Sequence, residues 1–267
     1  VCHICSMYVT QNLTNNGGKH VGGKYYHMVD DLRSFKLSDP DVGQLRCLLY
    51  GPISAGKSSF INSVNNVFQS RTTSGALVAI DGGFSFTTTV SCSRSGEKRL
   101  PFAFNDVMGL EQNKNGLHPD DIINALKGHL PEGYENPSLS DKTHCLVSIV
   151  SADKISRMPE DVIAKMKNIR AEASKLNIPQ VVVMTMPDKA CELVNKDVKR
   201  IYYSKAIKEK LGLPMNCILP VKNYHEEGML DNDMDILILN AMTQIMNFAN
   251  DYLWNLQQHA NQKNKKY

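Results

Sequence analysis

Residues 51 to 58 read Gly-Pro-Ile-Ser-Ala-Gly-Lys-Ser, a pattern of residue types whose chemistry is the capture of a phosphate chain. In such a loop the main-chain N–H groups turn inward, here those from Ser54 to Ser59, and the helix that follows adds partial positive charge at its N-terminus. Gly51, Ser54, Ala55, Gly56, Lys57, Ser58 and Ser59 are therefore expected to cradle the phosphates. Lys57 would reach the β- and γ-phosphates, and the Ser58 hydroxyl would ligate Mg2+. The pattern carries meaning only between a strand and a helix. Arg46-Cys47-Leu48-Leu49-Tyr50 is a short apolar run suited to a buried strand, and Phe60, Ile61, Val64, Val67 and Phe68 recur at helical spacing. Both flanks agree, so the segment is read as a nucleoside triphosphate site.

A phosphate loop does not choose between ATP and GTP, but three later segments favour GTP. Phe102 to Gly109 ends a strand with D-x-x-G, in which Asp106 would hold a water on Mg2+ and the Gly109 N–H would sense the γ-phosphate. Thr185-Met186-Pro187-Asp188 stands where GTP-binding domains carry [NT]-K-x-D. The Asp188 carboxylate can accept from the ring N–H and the amino group of guanine, a donor pair that adenine lacks. Met186 replaces the usual lysine; its thioether can cover the base without the charge, and that departure keeps an ATP site open. Asp188 would equally suit the start of a loop. In Pro220-Val221-Lys222-Asn223-Tyr224 a backbone N–H, assigned to Asn223, would reach guanine O6. The Mg2+ shell also calls for a threonine before the second strand. Thr87, Thr88 and Thr89 are the candidates and Thr88 is taken, although a threonine run equally suits a strand.

The segments that must hold these residues alternate between strand-like and helix-like from Gln44 onward, the mark of an α/β domain. Residues 1–29, rich in Asn, Gly and His, read as a flexible extension, with a short helix over 30–37. Residues 86–92 and 98–105 read as a hairpin. A polar loop covers 111–117, and Pro119 with Asp120 and Asp121 opens a helix. Strands are expected over 145–150, 180–185 and 217–221, and helices over 160–176, 196–211 and 233–254. The main domain would span 30–255, followed by a polar tail over 256–267.

Composition excludes several classes. At 267 residues the chain can hold one large domain or two small ones, and 42% hydrophobic with 21% charged residues is ordinary for a soluble domain. A net charge of +3 is too weak to argue for nucleic acid or an anionic membrane. No apolar run approaches the ~20 residues a membrane span needs. No secretory signal is visible, and the chain begins at Val1 rather than Met. Seven cysteines, odd in number and irregular in spacing, argue against a disulfide framework. Cys47, Cys145 and Cys217 fall in apolar runs, where a thiol packs as a small hydrophobe. Cys2 and Cys5 flank His3 without a second ligand pair, so they read as tail rather than zinc site. Asn12-Leu13-Thr14 is taken as a chance glycosylation triplet, since reduced thiols beside a phosphate loop indicate the cytosol.

Several strings are not shared by GTPases at large: Leu100-Pro101-Phe102, Gly116-Leu117-His118-Pro119-Asp120-Asp121-Ile122, Pro137-Ser138-Leu139 through Asp141 to His144-Cys145, and Asp235-Ile236-Leu237-Ile238-Leu239. With Gly51 to Phe60 they make the chain similar to the interferon-induced protein 44 family of vertebrate GTP-binding proteins, over about 30–253. The resemblance implies an α/β Ras-like G domain, a mostly parallel six-stranded sheet with helices on both faces, with GTP/GDP and Mg2+ as cofactors. It also implies cytoplasmic residence, induction by interferon and a role in antiviral or antiproliferative responses. Family members can carry a further domain ahead of the G domain, whose functions are not transferred. They resemble assembly-forming or scaffolding GTP binders more than metabolic enzymes. Guanine nucleotide is the expected partner, together with self-association through the switch face and a further protein; no nucleic acid and no membrane span are expected.

In Ras-type sites a glutamine after D-x-x-G positions the attacking water. Leu110 stands there and can neither donate nor accept. Ile53 and Ser54 are neutral, so the loop places no arginine beside the γ-phosphate. Hydrolysis is expected to be slow or dependent on a partner. Glu111 and Gln112 are nearby acceptors, equally readable as solvated loop residues. Two classes stay open: a switch whose segments 72–89 and 109–117 reorder with the γ-phosphate, or a non-hydrolysing scaffold stabilised by nucleotide.

Overall fold

Near-continuous apolar runs form strands buried on both faces, as a parallel sheet requires. They are β1 (Leu45–Tyr50), β2 (Phe102–Asp106), β3 (Cys145–Ser151), β4 (Gln180–Thr185) and β5 (Ile218–Pro220). The computed structural model describes residues 21–72, 99–107, 109–111, 119–129, 138–198, 205–225 and 227–264. Its strands lie in the order β2-β1-β3-β4-β5, each parallel to its neighbours.

Parallel neighbours need long crossovers, and helices supply them. α1 (Val21–Arg33) precedes the sheet and α2 (Lys57–Gln69) follows β1. Next come α3 (Pro119–Lys127), α4 (Glu160–Lys175), α5 (Pro187–Ala190), α6 (Glu192–Lys196), α7 (Lys205–Leu211) and α8 (Asn232–Asn264). Because side chains alternate along a strand, the sheet makes two cores. Cys47, Leu49, Phe104, Val147 and Val183 pack with Phe60 and Val64 of α2 and Met242 and Ile245 of α8. Leu48, Tyr50, Leu146 and Val182 pack with Ile122 of α3 and Met166 and Ile169 of α4. β1 has β2 on one side and β3 on the other, so the chain order reverses at its C-terminal end. Ligands of open α/β sheets bind in the crevice made there.

Several expectations change. Five strands, not six, make the sheet among the described residues; the expected strand over 86–92 lies outside them, as do Thr87, Thr88, Thr89, Gln112, Cys2, Cys5 and Asn12. The first helix begins at Val21 rather than Asp30, inside the supposed flexible extension. Tertiary packing explains it: Tyr25, Val29 and Leu32 are buried, and the Tyr25 hydroxyl donates to Val67 O at 2.8 Å. The single helix expected over 196–211 is replaced by α6, which ends at Lys196, and α7, which starts at Lys205. α8 continues to Asn264 through the supposed polar tail, held by buried Tyr252 and Leu253. No helix among the described residues is long and apolar enough to cross a membrane.

The start of β3 depends on a buried histidine. His144 Nδ1 accepts from Arg46 N–H at 2.9 Å and Nε2 lies 2.9 Å from Leu139 O, so Nε2 carries the proton. Burial pushes its pKa down to about 4.

Candidate nucleotide-binding site

The loop after β1 turns where only small residues fit. A Cβ on Gly51 would collide with Ile149 O and lie 3.1 Å from Ile149 C, so β1 can approach β3 only with glycine there. Ser54 at φ 57° and Gly56 at φ 91° take left-handed backbone, and Lys57 then opens α2. Strain of this kind gathers at ligand-binding loops. Thr185 Oγ1 donates to Ala55 O at 2.6 Å, and Asn223 Nδ2 donates to Gly56 O at 3.1 Å. In a trans peptide the carbonyl and the next N–H point in opposite directions. Holding these two carbonyls outward therefore aims the Gly56 and Lys57 N–H groups into the loop. Lys57 folds back over it, buried, with Nζ 3.4 Å from Gly51 O and 3.3 Å from Pro52 O. Burial lowers the Lys57 pKa while Asp106 pushes it up.

Ser58 Oγ donates to Asp106 Oδ2 at 3.2 Å. The other carboxylate oxygen, Asp106 Oδ1, is buried without a hydrogen-bond partner, and burial raises the pKa of this carboxyl. A hydroxyl beside an orphaned carboxylate oxygen fits a hard cation such as Mg2+, bound through few protein oxygens and several waters.

The D-x-x-G segment continues along the loop. β1 and β2 pair in register up to Leu49 and Asp106; the next bridge joins Pro52 to Leu110, with one extra residue on the β2 side. Leu110 N–H donates to Gly51 O at 2.9 Å, and Ile53 N–H donates to Leu110 O at 3.3 Å. Gly109 is pressed against Ile53, whose Cα would lie 2.9 Å from any Cβ added there. The Leu110 side chain, 2% exposed, points into the core with Tyr50, Val107 and Ile122. Its type was legible in the sequence, but its burial was not.

At the other end of the crevice, Met186 takes left-handed backbone (φ 52°) just before α5, with Pro187 at the first helical position. Ser151 Oγ lies 3.3 Å from Met186 Sδ, and half-buried Asp188 follows on the first turn. The loop after β5 is fastened on two sides. Tyr224 N–H donates to Ser63 Oγ at 2.9 Å, and the Tyr224 hydroxyl donates to Asp235 Oδ1 at 2.6 Å. The group expected at guanine is the Asn223 backbone N–H; what the structure shows is its side chain bracing Gly56, with Oδ1 buried without a partner. The brace from Thr185 was likewise not anticipated, although its place at the head of the T-x-x-D string was the available signal. Gly51 to Ser59, Asp106, Gly109 and Asn223 thus come together, with Asp188 on the first turn of α5 after β4.

Asp235 and His144 predict opposed pH effects. Burial raises the Asp235 pKa to about 6, so stability falls as pH rises from about 4 to 6, because the unfolded carboxyl loses its proton first. His144 does the reverse: between pH 4 and 6.5 the unfolded imidazole binds protons the folded one refuses, and stability rises with pH. His144→Gln keeps a donor and an acceptor but cannot titrate. Relative to wild type it should gain roughly 3 kcal/mol on going from pH 7 to pH 4, read from urea melts. Asp235→Asn should change the profile in the opposite sense, and superposable profiles would refute both assignments.

No protein-family model matches the chain. It is 34% identical to mouse (Mus musculus) interferon-induced protein 44, the match covering 86% of this chain and 60% of that protein. It is 32% identical to the human (Homo sapiens) protein of the same name and 30% identical to human interferon-induced protein 44-like, in each case over 86% of this chain and 57% of the relative. The chain thus spans less than two thirds of the length of these curated relatives. Among solved structures, Toc33 from Arabidopsis thaliana in complex with Mg2+ and GMPPNP superposes with a TM-score of 0.47 at 15% identity, covering 88% of this chain and 95% of that one. A probable GTP-binding protein engB superposes with a TM-score of 0.43 at 13% identity, covering 76% and 98%.

Proposed function

Because the chain belongs to the interferon-induced protein 44 family over the stretch matched, we propose that it binds GTP and GDP with Mg2+ in the interferon response. The supporting observation is the bracing of Ala55 O and Gly56 O by Thr185 and Asn223, which turns consecutive N–H groups toward one phosphate position. Lys57 then exchanges its carbonyl partners for phosphate oxygens, Gly109 N–H meets the third phosphate, and Asp188 reads guanine while Met186 covers it. Ser58, Asp106 and Thr88 would hold Mg2+, which would supply positive charge against the phosphates. Hydrolysis by the monomer is slow, because Leu110 supplies no water-positioning group and is turned into the core. Synthesis on interferon induction, cytoplasmic residence, an antiviral role, and association of two copies or with another protein through the switch face complete the proposal.

The test is to identify any nucleotide released on denaturing freshly purified protein, then compare thermal stabilisation by GTP, GDP and ATP with Mg2+. Stabilisation by ATP alone would overturn the guanine assignment. Asp188→Asn should lose about tenfold or more in GTP over ATP preference with little change in phosphate affinity, measured by competition binding. Retained preference would place base reading elsewhere. The second reading, a non-hydrolysing scaffold stabilised by nucleotide, is favoured by the burial of Leu110. A single-turnover assay separates the two: phosphate release that rises with protein concentration indicates hydrolysis completed by a second copy, and none at any concentration supports the scaffold.

A further inference from the structure

The turn after β2 is restrained from three directions. Its main chain is zipped to the phosphate loop through Leu110 N–H to Gly51 O at 2.9 Å and Ile53 N–H to Leu110 O at 3.3 Å. The Leu110 side chain is locked in the apolar layer with Ile122 of α3 and Ile163 of α4. One residue on, Glu111 O accepts from Lys165 Nζ at 2.6 Å. Lys165 belongs to α4, which is anchored on the sheet by buried Val162, Ile163, Met166 and Ile169. Gly109 stands immediately before this fastened pair, and a Cβ added there would lie 2.9 Å from Ile53 Cα.

We propose that Lys165 is a positioning residue for Gly109: its bond to the Glu111 carbonyl pre-sets the turn before any nucleotide arrives. The turn then has the same geometry with a nucleoside diphosphate and with a triphosphate. The inference rests on the guanine-nucleotide reading for its ligand, though not for its geometry. Preorganisation strengthens binding by removing the cost of ordering the receptor. Only a ligand that touches Gly109 gains from it, which singles out the triphosphate. The bond is charge-assisted and is made to Glu111 rather than to any residue from Gly51 to Ser59, so its loss should leave diphosphate binding alone.

The test compares wild type, Lys165→Ala and Lys165→Arg as full chains. GDP and a non-hydrolysable GTP analogue are titrated calorimetrically with Mg2+, and amide hydrogen exchange over residues 109–111 is followed without nucleotide. Lys165→Ala should weaken the triphosphate analogue roughly 3- to 10-fold with GDP unchanged. Lys165→Arg, which keeps a donor, should restore the ratio. The amides over 109–111 should exchange faster in Lys165→Ala than in wild type. An unchanged triphosphate-to-diphosphate ratio, equal weakening of both ligands, or unaltered exchange would overturn the proposal. If wild type binds neither nucleotide the guanine reading falls, and the exchange rates still decide whether Lys165 holds the turn.

Discussion

Lys57→Ala is expected to raise the Kd for both GTP and GDP by about 100-fold or more while barely changing the stability of the unliganded protein. The two halves of this result have different causes. The ammonium is buried and held by the Gly51 and Pro52 carbonyls, and burial pushes its pKa down. Removing it takes one of two donors from each carbonyl, since Gly51 O still accepts from Leu110 N–H and Pro52 O from Ala55 N–H, which is mildly destabilising. It also removes a desolvated charge, which is stabilising, so the terms offset in the empty site. A polyphosphate makes that charge favourable, and only then does its loss count in full. Thermal melts with and without GTP and GDP read both halves. A variant that keeps its nucleotide-dependent rise in Tm would show that the loop does not hold phosphate.

Leu110→Gln, which on sequence grounds should rebuild a hydrolytic site, is expected instead to damage the protein without speeding hydrolysis. The side chain is 2% exposed among Tyr50, Val107 and Ile122. Glutamine there buries an amide with few partners and forfeits apolar contact, together costing roughly 2–5 kcal/mol. In a domain of this size that is a drop in Tm on the order of 5–15 °C. Single-turnover phosphate release should stay at the wild-type rate. Faster release with an unchanged Tm would mean that the residue faces the γ-phosphate and that the turn is not pinned as described.

These two residues show how unevenly sequence speaks. Lys57 is legible because its setting is local: a loop of eight residues between a strand and a helix suffices to fold an ammonium back over the loop carbonyls. Leu110 is not. Its type says what it cannot do, but its direction depends on one extra residue in the pairing of β2 with the loop, and on an apolar layer supplied by α3 and α4. The same holds for α1, whose composition suggests a flexible extension until Tyr25 and Val29 find a surface to bury against.

Residue order alone was enough to establish the glycine-rich loop between strand and helix, the D-x-x-G and T-x-x-D strings and the alternating α/β architecture, because each depends on neighbours a few positions apart. Folding in three dimensions decided which groups brace the loop. Thr185 and Asn223 reach it across 130 and 167 residues of chain, and Lys165 reaches Glu111 across 54. No local pattern encodes such contacts; they exist because parallel strands bring distant segments together at the C-terminal ends of one sheet.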